Sequence, residues 1–177
     1  MDQTASIPRI VLPALVLAMI GAALAPALAE EGSEPSYVTG KVSDKKILKI
    51  GPEWQAAYDA YKPDEGALAR IRSASQRGKA EIAVEVVFGS WCGDSRDGVP
   101  QYIKMQDLLG RDRLKTTYIG VDRSKKDPKG KVEGKDIQRV PTYIVTWKGI
   151  EMGRIIEIPK VTIEDDLAAI LESPGRP

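Results

Sequence analysis

Residues 81–94 read EIAVEVVF followed by GSWCGD. Glu81–Phe88 is rich in Val and Ile, and its nearly continuous apolar character predicts a strand buried on both faces. Gly89 to Asp94 turn out of that strand. A helix is expected from about Ser95 to Leu109, closed by Gly110, with Pro100 inside it as a kink. Cys92 therefore stands after a buried strand and before a helix. Free backbone N–H groups and the positive end of the helix dipole gather there. Both favour the thiolate, the nucleophilic form of cysteine. Arg96, one turn on, would add positive charge, and Asp94 would oppose it or cap the helix. Ser95 lies one turn from Cys92 and can donate to the thiolate, or it is simply a helix N-terminal residue. Trp91 reads as a partly exposed aromatic shielding the sulfur.

Working outward, Lys115–Val121 (KTTYIGV) is a second strand, parallel to the first because a helix joins them. Thr142–Trp147 and Met152–Ile158 form a hairpin about Lys148-Gly149-Ile150-Glu151. Thr162 caps a last helix over Ile163–Leu171. Upstream, Gly51-Pro52 opens a helix over Glu53–Tyr61, with Trp54, Tyr58 and Tyr61 as its core stripe. Asp64 caps another through about Gln76, ended by Gly78. Lys46–Ile50 (KILKI) reads as a short strand. The charged loop Asp122–Gly134 carries Arg123, Lys125, Lys126, Lys129 and Lys131. Asp122, Asp127 and Glu133 dilute that charge, so it reads as a solvated loop, with an acidic partner or anionic head group as the alternative. The order predicts an α/β fold, a mixed sheet with helices on its faces.

The chain has 177 residues, 26 Lys+Arg and 25 Asp+Glu, for a net charge of +1. That length suits one domain of ordinary size, with room for an extension. A neutral chain lacks the footprint of a general nucleic-acid binder. With no histidine and one cysteine, Ser-His-Asp and Cys-His catalysis, His-ligated metals, an intramolecular disulfide and a Cys-rich metal site are excluded within one chain. No cofactor and no metal are expected. Ile10–Ala29 is uncharged after Arg9 and ends in Pro26-Ala27-Leu28-Ala29, the pattern of a secretory signal peptide cleaved after Ala29. The alternative is an uncleaved membrane anchor. Either delivers the remainder outside the cytoplasm, to the periplasm or beyond. The expected organisation is a signal peptide at 1–29, a linker or N-terminal extension at 30–51 and a domain at 52–177. An unpaired thiol in an oxidising compartment is either buried and inert or there to react.

Trp91-Cys92-Gly93-Asp94-Ser95 resembles the thioredoxin active-site motif, Trp-Cys-Gly-x-Cys, with serine in place of the second cysteine. Pro100 lies where thioredoxins kink their active-site helix. Val140-Pro141-Thr142 resembles the cis-proline loop that opens the hairpin and faces the active cysteine. The element order over roughly Leu68–Leu171 is also that of thioredoxins. The resemblance is greatest to exported bacterial thioredoxin-like proteins. It implies a thioredoxin-like fold with an N-terminal helical extension, a cis bond before Pro141, and a substrate peptide pairing with the Val140 backbone as an added strand. Trp91, Val140, Pro141 and Thr142 would form the substrate-binding surface. Pro141 would also keep an N–H away from the sulfur.

Two departures shape the expected function. Ser95 cannot expel a substrate from a mixed disulfide. The buried aspartate that thioredoxins carry six residues before the nucleophile is Val86 here, and Glu85 points to the other face of the strand. A dithiol reductase is therefore not expected. Monothiol chemistry at Cys92 is, acting on thiols or disulfides of envelope proteins and resolved by an external thiol, a low-molecular-weight one included, or by a second substrate thiol. The alternative is a non-catalytic module that uses the same groove to hold a peptide or protein, and a weaker one makes Cys92 a covalent tether to one partner.

Overall fold

The computed structural model describes Met1 and residues 37–76 and 81–173. Of the residues before Pro35 only Met1 is described, and it is exposed. The expected signal segment, its Ala27-Leu28-Ala29 ending, most of the linker and the Gly78 helix stop lie outside the described residues. Among those described, no helix is long and apolar enough to cross a membrane.

The elements run β1 Gly40–Val42, α1 Asp44–Ile47, α2 Pro52–Ala60, α3 Glu65–Ser75, β2 Ile82–Phe88, α4 Gly93–Leu109, β3 Lys115–Gly120, β4 Thr142–Trp147, β5 Ile150–Ile156 and α5 Ile163–Glu172. The strands form one sheet in the order β1-β3-β2-β4-β5. β2 and β3 are parallel, joined by the α4 crossover, while β1–β3, β2–β4 and β4–β5 are antiparallel. With its mixed sheet and flanking helices, the fold is thioredoxin-like.

Strand alternation gives the sheet two unlike faces. Ile82, Val84, Val86 and Phe88 point to one side together with their register partners Tyr118, Tyr143 and Val145. These join Trp54 of α2, Leu68 and Ile71 of α3, Val99 and Ile103 of α4, and Leu167 and Leu171 of α5 in one large core. Helices α2 to α5 therefore all lie on this side. Each fully buried Leu, Ile or Phe adds roughly 1.5–3 kcal/mol of transfer free energy. Trp54 packs edge-on against Phe88 at 6.0 Å. The hydroxyls of the same stripe find acceptors, Tyr58 on Asp107 (2.8 Å) and Tyr61 on the buried Glu164 (2.7 Å).

The other face carries Ala83, Glu85 and Val87 of β2. The β3–β4 connection, residues 121–141, forms no helix and covers only its upper half. Val87, Ile119, Val121, Val132 and Val140 form a second, smaller core there. The lower half is a cleft of about 440 Å³ where Glu85 pairs with Lys135 and Arg154 grips Glu151 through two bonds of 2.6 and 2.7 Å. β2 is thus buried on both faces only from Val86 onward, and not along its whole length as expected. Ala83 and Glu85 are half-exposed, and the connection meets Glu85 there through the Lys135 ammonium and not through an apolar cover.

Residues 46–50 are not a strand. Ser43 caps a single helical turn by accepting from the Lys46 N–H at 3.4 Å, and Asp44 stands in the first turn. One turn buries Ile47 fully and packs Ile50 beside it, which the KILKI alternation also satisfies. The strand of this region is β1 instead. Residues 40–50, read from sequence as an extension, thus supply an edge strand and a core side chain. At the hairpin, Lys148 and Gly149 both take positive φ (51° and 82°), so the turn is two residues long and β5 begins at Ile150. A bulge between Val145 and Thr146 absorbs the shift.

Candidate functional site

The Cys92 loop is built by close packing around glycine. The Trp91 indole folds back so tightly that a Cβ on Gly89 would come within 2.6 Å of the ring. Its Nε1 donates to the Val121 carbonyl at 3.0 Å, and the Cys92 N–H returns to the Gly89 carbonyl at 3.0 Å. The loop is also tied to the incoming chain. Val38 N–H donates to Ser90 Oγ at 3.0 Å, and the Val38 carbonyl runs where any side chain on Gly120 would stand.

Helix α4 begins at Gly93, two residues earlier than expected, so Cys92 itself is the N-cap, with extended backbone (φ −97°, ψ 130°). Its sulfur makes no capping bond to the helix N–H groups. It donates instead to the Val140 carbonyl at 3.1 Å. The Val140–Pro141 bond is cis. Around it, Thr142 Oγ1 donates to the Arg139 carbonyl (2.6 Å) and Glu157 N–H to the Pro141 carbonyl (2.6 Å). Cys92 is half-buried, and it packs with Trp91 and Ile137 against the smaller core.

The structure thus brings Trp91, Cys92, Val140, Pro141 and Thr142 to one end of the sheet. The other expected residues have their bonds elsewhere. Ser95 is fully buried and its hydroxyl accepts from the Gly89 N–H at 3.2 Å, so it fastens the loop to α4. Arg96 turns to its neighbour Asp97, Nε to Oδ1 at 3.1 Å. Asp94 stays exposed in the first turn and does not cap the helix. Val140 is 3% exposed, and its carbonyl already accepts from the thiol, which leaves one lone pair for any strand pairing there. Val86 is fully buried in the large core, and Glu85 faces the opposite side, paired with Lys135.

Sequence reading did not place four residues beside the site. Arg123 stands 5.2 Å over the Trp91 ring and 5.8 Å from Tyr37, with Nε donating to the Tyr37 hydroxyl at 2.9 Å. Val132 and Ile137 wall the sulfur's surroundings. Gly98 lets α4 approach the sheet: a Cβ there would lie 3.0 Å from the Tyr143 hydroxyl and 3.7 Å from the Pro141 ring. That hydroxyl is buried with no hydrogen-bond partner, and burial holds its pKa far above the ordinary tyrosine value. A glycine inside an amphipathic helix was the available signal for Gly98. Arg123 was read as one cation of a charged loop, and nothing local placed it over Trp91.

No family model and no curated protein matches the chain. Among solved structures it is similar to thioredoxin O2 of Arabidopsis thaliana in the oxidised state, 20% identical over 59% of this chain and 86% of that one, with a TM-score of 0.39. Thioredoxin O1 of the same plant, also oxidised, is 21% identical over 54% and 82%, with a TM-score of 0.36. A protein of unknown function from Pseudomonas aeruginosa is 17% identical over 73% and 95%, with a TM-score of 0.37.

Proposed function

We propose that this chain is a monothiol thioredoxin-like protein that exchanges thiols and disulfides of envelope proteins through Cys92. The observation that carries this reading is the seat of the one thiol in the chain, half-buried at the N-cap of α4 with its sulfur on the carbonyl of the residue before a cis-proline. The Cys92 thiolate attacks one sulfur of a substrate disulfide. A new S–S bond forms, the old one breaks, and the second sulfur leaves as a thiolate that takes up a proton. An external thiol then attacks the mixed disulfide and frees Cys92. A second thiol of the substrate can do the same, which is isomerisation without net redox change. Ser95 has no part in resolution, since a hydroxyl cannot attack in its place. The export expected from Ile10–Ala29 sets the compartment.

A second reading, a binding module without turnover, is favoured by the Ser95 hydroxyl being engaged within the fold. The two readings part in one experiment. The chain is mixed with a scrambled disulfide protein and reduced glutathione, with Cys92→Ser as the blank. Catalytic turnover that disappears in Cys92→Ser supports exchange. Saturable binding to a peptide or protein partner, unchanged in Cys92→Ser and without turnover, overturns it in favour of the module.

A further inference from the structure

The loop between β3 and β4 carries five cations, Arg123, Lys125, Lys126, Lys129 and Lys131, against three acids, Asp122, Asp127 and Glu133. The fold sharpens that imbalance. Asp127 is 8% exposed, and its carboxylate accepts backbone N–H groups from Lys129 (3.0 Å), Lys131 (2.5 Å) and Val132 (3.3 Å). One acid is thereby turned onto the loop's own backbone, whose N–H dipoles offset its charge. Asp122 stays half-exposed and accepts from the Lys126 N–H at 2.9 Å. Arg123, Lys126, Lys129 and Lys131 are exposed and Lys125 half-exposed, with Glu133 the one fully exposed acid. The loop surface is more cationic than its composition.

This surface adjoins the sulfur. Lys125 and Lys126 line a cavity of about 400 Å³ together with Asp127, Glu133, Val132 and Ile137. Val132 belongs to the small core against which Cys92 and Ile137 both pack. Arg123 closes the other side over Trp91.

Resting on the exchange reading of Cys92, we propose that the loop of residues 122–134 selects substrates whose disulfide is flanked by carboxylates, as on an acidic peptide segment. A cationic rim beside a reactive centre raises the local concentration of anionic partners and speeds their encounter, more at low salt than at high. In the exchange step the Cys92–substrate S–S bond forms as the substrate's own breaks, and the leaving thiolate departs over the same cations.

The test uses the full chain and two small disulfides, the dianionic 5,5′-dithiobis(2-nitrobenzoate) and the uncharged 2,2′-dipyridyl disulfide, each referenced to free N-acetylcysteine. The expected result is about a tenfold relative preference for the dianion at low salt. That preference should shrink as salt rises, and it should vanish in a variant carrying Lys125→Glu, Lys126→Glu, Lys129→Glu and Lys131→Glu. The variant's unchanged rate with the dipyridyl probe shows that it is folded. A preference that survives charge reversal, or rates that fall equally on both probes, overturns the proposal. So does loop-dependent binding to phosphatidylglycerol vesicles without probe preference, which assigns the loop to a lipid surface. Failure of Cys92 to react with either probe overturns the exchange reading itself.

Discussion

The two faces of the sheet are made of the same strands but held in different ways. On one side four helices bury Ile82, Val84, Val86 and Phe88 in a continuous apolar core. On the other, a connection without a helix covers Val87 and leaves Glu85 to pair with Lys135 at the surface. The candidate site sits where the thin cover meets the strand ends. Most of the stability should therefore reside on the helix side, and changes of function should be reachable on the loop side at small cost to folding.

The largest effect expected is chemical. Cys92→Ser should remove all disulfide exchange while moving the unfolding midpoint little, because the side chain is half-buried and its bond to the Val140 carbonyl is also open to a hydroxyl. Exchange assays beside denaturant titration check both halves. On the helix side Leu68→Ala should cost about 3 kcal/mol, the usual range for a fully buried leucine. On the loop side Val132→Ala should cost about 1.5 kcal/mol and speed alkylation of Cys92, which packs against the same small core. If the two substitutions cost the same, the contrast between the faces is broken. Tyr143→Phe should raise stability by about 1 kcal/mol by removing a buried hydroxyl without a partner. Gly98→Ala should destabilise the native chain, whose Tyr143 hydroxyl it meets, and stabilise the Tyr143→Phe chain by helix propensity. Equal effects in the two backgrounds would deny that contact. The smallest effect belongs to the bare face. Lys135→Met should change stability by no more than about 0.5 kcal/mol, since a half-exposed pair is well solvated.

Much of this was legible because it is local. EIAVEVVF, the Thr162 and Asp64 caps, Gly110 at the end of α4 and the Lys148-Gly149 turn each carry their own stereochemistry, and the motif with Val140-Pro141-Thr142 located the site. What escaped depends on partners distant in the chain. KILKI fits a strand as well as a turn of helix, and Ser43 decides between them through one hydrogen bond. The half-exposure of Glu85 follows from a helix missing from the 121–141 connection. Ser95 was expected at the sulfur, yet it lies against Gly89 because the loop folds back on itself. The inward turn of Asp127 could not be read from composition, since counting charges assigns it no direction.

The clamped indole of Trp91 has an optical consequence. The chain holds three tryptophans. Trp54 is sealed in the large core at 1% exposure, and Trp147 lies under the ammonium of Lys148 near the far hairpin. Trp91 adjoins Cys92 in the chain, held between Gly89 and Arg123. Its emission is a built-in reporter of the site: a chain carrying Trp54→Phe and Trp147→Phe would signal each arrival at the sulfur without a label.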